Sequence, residues 1–144
     1  MFLANCQSDY RAPLDPRDAE TLSLEAAEEV ERFLRHRENH VVTPLRALPA
    51  LARELGVGEI AIKDEGLRLG LGSFKALGGS YAVIRLVLDA ASDRLGRAVD
   101  VAALQAPGVR AIAAGMTFAC ATDGNHGRSV AQGARLVEIG RAHV

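Results

Sequence analysis

"GLGSFKALGGSYAVIRL", residues 70–86, decides how the chain is read. From Ser73 onward the spacing predicts a helix whose buried stripe is Phe74, Leu77, Tyr81, Ile84 and Leu88. Yet Gly78 and Gly79 stand one turn into it, and a glycine in a helix interior costs about 1 kcal/mol relative to alanine. Something other than helix stability must require them. Ser73 can cap the helix by accepting a backbone N–H bond. That puts Lys75 in the first turn, where the positive end of the helix dipole disfavours a further cation. Gly78, Gly79 and Ala82 follow at three, four and seven residues, along the same face as the amine. Two readings stay open. Either the glycines leave a flat space beside Lys75 that a planar cofactor joined to it would fill, or they permit a close helix–helix or helix–strand contact with Lys75 merely exposed.

Lysine is scarce here. Of 17 lysines and arginines only Lys63 and Lys75 are lysine. Where arginine serves for generic charge, a retained lysine hints at work that guanidinium cannot do. Guanidinium stays protonated and does not readily form a Schiff base, whereas an ammonium can lose its proton when desolvated. Lys63, inside "KDE" (63–65), reads as structural, with local ion pairing.

Outward from this stretch the pattern alternates. The charged segment from Pro16 to Arg37 predicts one helix that packs on one side. Pro49 opens a short helix through Leu55, with Gly56 as its stop. "EIAIKDE", 59–65, reads as a strand. Beyond Ser92 the text is looser, with one short helix expected over 98–105 and a turn at Pro107-Gly108. "MTFACA", 116–121, is a short apolar run consistent with a buried strand. "ATDGNHGRSVA", 121–131, makes a tight turn, with Gly124 and Gly127 permitting it, and a helix from Ser129 to Leu136 closes the pattern. Strand, loop and helix in repeated order predict an α/β fold with a largely parallel sheet. "VEIGRAHV" (137–144) supplies no further apolar strand. Its last seven residues coincide with one reading frame of a common sequencing adapter, so 138–144 is expected to be a non-native tail on the N-terminal part of a larger protein.

The turn at 121–131 is the second constellation. Free N–H groups at a helix start favour an anion such as phosphate or carboxylate. Asn125 offers both donor and acceptor, and Asp123 a carboxylate that needs a charge partner or a proton to handle. The plainer alternative is an Asx-turn in which Asp123 caps the helix. His126 reads as held by turn packing.

Bulk properties narrow the field. The 144 residues fit one ordinary domain and are 49% hydrophobic and 24% charged, a globular composition. A formal net charge of −1 gives no footprint for nucleic acid or a membrane surface. No apolar run approaches the ~20 residues of a membrane span, no leader segment is read at the start, and a cytoplasmic location is expected. Cys6 and Cys120 show neither disulfide nor metal-ligand spacing, so no metal site is expected. No G-x-G-x-x-G opens a helix after a strand, which speaks against a dinucleotide site.

Taken together and in this order, "TPLRALPALARELGVGEIAIKDE" (43–65), "GLGSFKALGGSYA" (70–82) and "FACATDGNHGRSVA" (118–131) resemble the fold-type-II enzymes dependent on pyridoxal phosphate (PLP), the tryptophan-synthase-β-like group. Within it they are most similar to the diaminopropionate ammonia-lyases. The likeness covers over half the chain and is patchy before residue 43 and poor across 90–115. Gly66 departs from the serine the family often carries after "KDE". The resemblance implies a truncated three-layer fragment of that fold, with residues 1–90 starting the large PLP-binding domain and 91–137 starting the small one. It implies that Lys75 is the Schiff-base lysine, that Gly78 and Gly79 leave room for the cofactor, and that Asn125 bonds its phenolic oxygen. Thr122, Asp123, Gly124, Asn125 and His126 would hold the substrate carboxylate. Asp123 is the discriminating residue. Related threonine and serine dehydratases carry a small residue there, whereas in the ammonia-lyases that aspartate is the base for the D-isomer and the lysine serves the L-isomer. The substrate would be a small amino acid and the full-length protein a homodimer. A dehydratase-like enzyme, or a non-catalytic truncated module, remain the alternatives, because the family's phosphate loop and pyridine-nitrogen partner lie further along.

Overall fold

The computed structural model describes residues 4–7, 9–122, 124–139 and, for the backbone alone, 141–143. The charged N-terminal segment forms two helices rather than one, α1 (Pro16–Thr21) and α2 (Leu24–Arg35). The break falls at Ser23. Its backbone is extended (φ −78°, ψ 166°), and its hydroxyl accepts from the Ala26 N–H at 3.1 Å, a cap that restarts the helix. Strand β1 (Leu45–Ala47) pairs antiparallel with β2 (Ala61–Lys63), Leu45 opposite Lys63. Between them lies α3 (Pro49–Leu55), opened by its proline and ended by Gly56 at φ 64°, as the sequence predicts. The strand expected over 59–65 is shorter, and all three of its residues are exposed.

Helix α4 (Ala76–Leu95) is the longest element. It starts at Ala76 rather than Ser73, so Phe74 sits in the preceding turn and is 72% exposed instead of lying in the core. Ile84 and Leu88 are buried as expected, while Leu77 and Tyr81 are half-buried. The stripe read from sequence is therefore one edge of a broader buried face that includes Ala76, Ser80, Val83, Val87 and Ala91. The helix expected over 98–105 is only a 3-10 turn at Val101–Ala103. Pro107, expected in a turn, instead opens α5 (Pro107–Ala114), because a proline costs nothing at the first helical position.

The chain then runs through β3 (Thr117–Ala119) and α6 (Asn125–Leu136) to β4 (Arg141–His143). α6 begins four residues earlier than expected and takes Gly127 into its first turn. β4 pairs parallel with β3, Thr117 opposite Arg141, where the sequence offered no strand. Among the described residues the sheets are thus one antiparallel and one parallel pair, not a continuous, mostly parallel sheet. A parallel sheet grows by successive crossovers, and only β3–α6–β4 supplies one here. For the same reason β3 is not the buried strand expected: Phe118 is half-buried and its neighbours in the strand are exposed.

The core gathers Phe33 and Leu34 of α2, Ile84 and Val87 of α4, Val109 of α5 and Val137 into one cluster. Each such side chain contributes about 1.5–3 kcal/mol on burial. The Phe33 and Tyr81 rings meet at 5.3 Å. No helix among the described residues is long and apolar enough to cross a membrane.

Candidate cofactor site

Lys75 is the residue from which α4 departs, half-buried, with its N–H donating to Ser73 Oγ at 3.2 Å. Ser73 therefore braces the lysine's backbone rather than capping the helix from its own position. The two glycines that follow have different surroundings. A Cβ on Gly78 would meet nothing within 4 Å, so this face of the helix is open. A Cβ on Gly79 would lie 2.8 Å from Ser129 Oγ and 2.9 Å from its Cβ, so this glycine exists to let α6 approach. The close helix–helix contact is thus met at Gly79, with Lys75 half-buried rather than merely exposed, while Gly78 borders open space. Gly133 makes the reciprocal contact, since a Cβ there would come within 2.9 Å of the Ser80 backbone.

A buried hydroxyl joins the two helices. Ser129 Oγ accepts from the Ser80 N–H at 2.9 Å and donates to the Ala76 carbonyl at 2.6 Å. Contacts ascend together along both helices, from Ala76 and Ser129 to Ser80 and Gly133, so α4 and α6 run parallel. Their N-termini consequently lie at the same end. Asn125 is one turn before Ser129, about 6 Å along the axis at 1.5 Å per residue, and Lys75 immediately precedes Ala76. The fold thus brings the lysine and the Asn125 turn to one end of one helix pair.

In that turn Gly124 adopts φ 130°, ψ −70°, a conformation open to glycine and hardly to other residues. Gly124 is the N-cap, and two residues before it the Thr122 hydroxyl accepts from the Gly124 N–H at 3.1 Å and the Gly127 N–H at 3.0 Å. Asn125 and His126 are exposed at the helix start, so His126 is not held by packing in the turn. Asp123 lies outside the described residues. The role of Ser129 was missed by the sequence reading. Its signal is a polar residue in a run of small ones, Gly127, Ser129 and Gly133, on the buried face of α6.

The "KDE" segment is structural, as its composition suggested: its lysine bonds a backbone carbonyl and its charge also acts on Glu65. Lys63 Nζ donates to the Thr43 carbonyl, joining β2 to the segment before β1. Glu65 takes both Arg68 Nε and Arg68 Nη2, the latter at 2.7 Å, and accepts from Thr43 Oγ1 at 2.8 Å. Those bonds, Arg68 first, hold the Glu65 carboxyl down at about 2. The hydrogen bond from Arg46 likewise holds Asp64 below the usual carboxylate range.

An amine, a bare helix face beside it, and an asparagine at the start of a neighbouring parallel helix form a donor set suited to an aromatic aldehyde carrying a phenolic oxygen. The open Gly78 face is where a flat ring has room, so the residues present fit PLP. Such a set is chemically suited to a cofactor held through a lysine. Residues 37–144 match the family model described as pyridoxal-phosphate dependent enzyme, and the chain belongs to that family. It is 42% identical over 111 residues to the diaminopropionate ammonia-lyase of Salmonella typhimurium, covering 77% of this chain and 27% of that one. The Escherichia coli K12 enzyme of the same name is 45% identical over 94 residues, 65% of this chain and 22% of the relative. The crystal structure of the Escherichia coli enzyme in complex with D-serine superposes with a TM-score of 0.69 at 33% identity, over 90% of this chain and 31% of that chain. Its apo form gives 0.66 at 36% identity, over 83% and 31%. The chain therefore spans about a quarter of the length of the curated relatives it matches.

Proposed function

We propose that this chain is the N-terminal part of a PLP-dependent ammonia-lyase that converts 2,3-diaminopropionate and one water to pyruvate and two molecules of ammonia. The observation that carries the reading is the parallel α4–α6 pair, which brings Lys75 and the Asn125 turn to one end beside the open Gly78 face. The likeness to two enzymes named for this substrate supports it. Bound PLP supplies a conjugated ring that spreads the negative charge left when the Cα proton is removed.

The protein's own residues do the rest. Lys75 would hold the cofactor and would take the Cα proton of the L-isomer. Asp123 takes that of the D-isomer and must be ionised to do so. Asn125 bonds the phenolic oxygen, and the turn from Thr122 to His126 receives the substrate carboxylate at the helix start. Residues 1–90 begin the large domain and 91–137 the small one. A mostly parallel sheet is completed by chain outside these residues, and the full-length enzyme is a cytoplasmic homodimer. The 144 residues alone do not turn over substrate.

The test is ammonia release by the full-length enzyme. Diaminopropionate is expected to be the better substrate and threonine a poor one, and Asp123→Ala is expected to impair the D-isomer more than the L-isomer. Preference for threonine points to a dehydratase, and equal losses on both isomers contradict the two-base assignment.

A further inference from the structure

We infer that Ser129 is a positioning residue for Lys75, a buried hydroxyl that fixes the axial register between the helix carrying the amine and the helix opened by Asn125. This rests on the reading of the site above and adds a residue to it. The contacts at Gly79 and Gly133 set how closely α4 and α6 approach, but small surfaces in contact can slide. A slide of one residue is about 1.5 Å, and misplacement by about 1 Å can cost a hundredfold in rate. Ser129 removes that freedom because its hydroxyl uses both its donor and its acceptor on α4. It donates to Ala76 O at 2.6 Å and accepts from Ser80 N–H at 2.9 Å.

Those two groups are the pair that an α-helix would join to each other by its own i→i−4 bond. Ser129 thus stands inside the first turn of α4, at the carbonyl of the residue next to Lys75. It is 0% exposed, so solvent has no ready access to replace it. Without the hydroxyl, Ser80 N–H and Ala76 O lose their shared tie to α6, and the start of α4, from which Lys75 departs, is no longer held in register with Asn125. Ser80 Oγ also donates to Ala76 O, at 2.7 Å, so the helix keeps a bond there while losing its tie to α6.

The experiment uses the full-length protein stripped of cofactor. PLP is titrated by the absorbance of the lysine–cofactor linkage, borohydride reduction identifies the labelled residue, and urea unfolding of the cofactor-free form reports stability separately. Ser129→Ala is expected to weaken PLP binding about tenfold and to lower the fraction reducible onto Lys75 at saturating PLP. A merely structural residue would lower the urea midpoint and leave PLP affinity and the labelled fraction at wild-type values, and that result overturns the inference. If Ser129→Ala does not fold, Ser129→Cys carries the test, since its thiol donates and accepts weakly from the same position. An intermediate PLP affinity supports the inference, and a wild-type affinity overturns it. Wild-type protein without label on Lys75 overturns the site reading and this inference together. Label on Lys75 with an unaffected Ser129→Ala overturns this inference alone.

Discussion

At Gly78 an added Cβ would meet nothing within 4 Å, whereas at Gly79 it would fall 2.8 Å from Ser129 Oγ. The two alanine variants should therefore move stability in opposite directions. Gly78→Ala is expected to gain about 0.5–1 kcal/mol through helix propensity while weakening PLP binding, because the new methyl enters the ring's space. Gly79→Ala is expected to lose about 1–3 kcal/mol by overpacking α4 against α6. Urea unfolding of both variants checks this, and equal losses would contradict the division of roles. Lys75 stands out by residue type alone, in a chain whose basic residues other than Lys63 are arginine. The division between its two glycines was not legible in the sequence. It depends on the phase of a helix some fifty residues further on, and a glycine carries no side chain to signal which neighbour it admits.

The segments flanking the β1–β2 pair show how local structure is held by charge. Glu65 is gripped by Arg68 and Thr43, and its carboxyl is held near 2 rather than in the ordinary range. A depressed folded-state value means the stabilisation is complete above the unfolded value of about 4.3 and disappears as pH falls toward about 2. Glu65→Gln is expected to be less stable than the parent near neutral pH and to lose less on acidification. Urea midpoints at about pH 6 and about pH 3 measure it. An unchanged acid slope would mean that the Arg68 bonds do not persist in solution. Element boundaries were legible where a local signal fixes them, as with Pro49 and Gly56 around α3. They failed where one residue serves two structures. Pro107 suits a turn or the first position of α5 equally well, and Ser23 interrupts a segment whose composition is helical throughout. Phe74 was assigned to the core on spacing, but α4 starts two residues after it, so it has no place on the helix face.

For the molecule as a whole, the α/β alternation was legible and the sheet was not. One β–α–β crossover lies among the described residues, while strand pairing depends on chain distant in sequence. Apolar side chains stand exposed, with Val42 at 83%, Leu45 at 69% and Phe74 at 72%. Relatives extend over nearly four times the length matched here, which agrees with proposing catalysis for the full-length protein and not for 144 residues. What must hold in either case is the bond between cofactor and chain. Full-length protein incubated with PLP, reduced with borohydride, digested and mapped should carry the pyridoxyl group on Lys75. Recovery of the label on Lys63, or on neither lysine, would contradict the assignment of the α4–α6 end as the cofactor site.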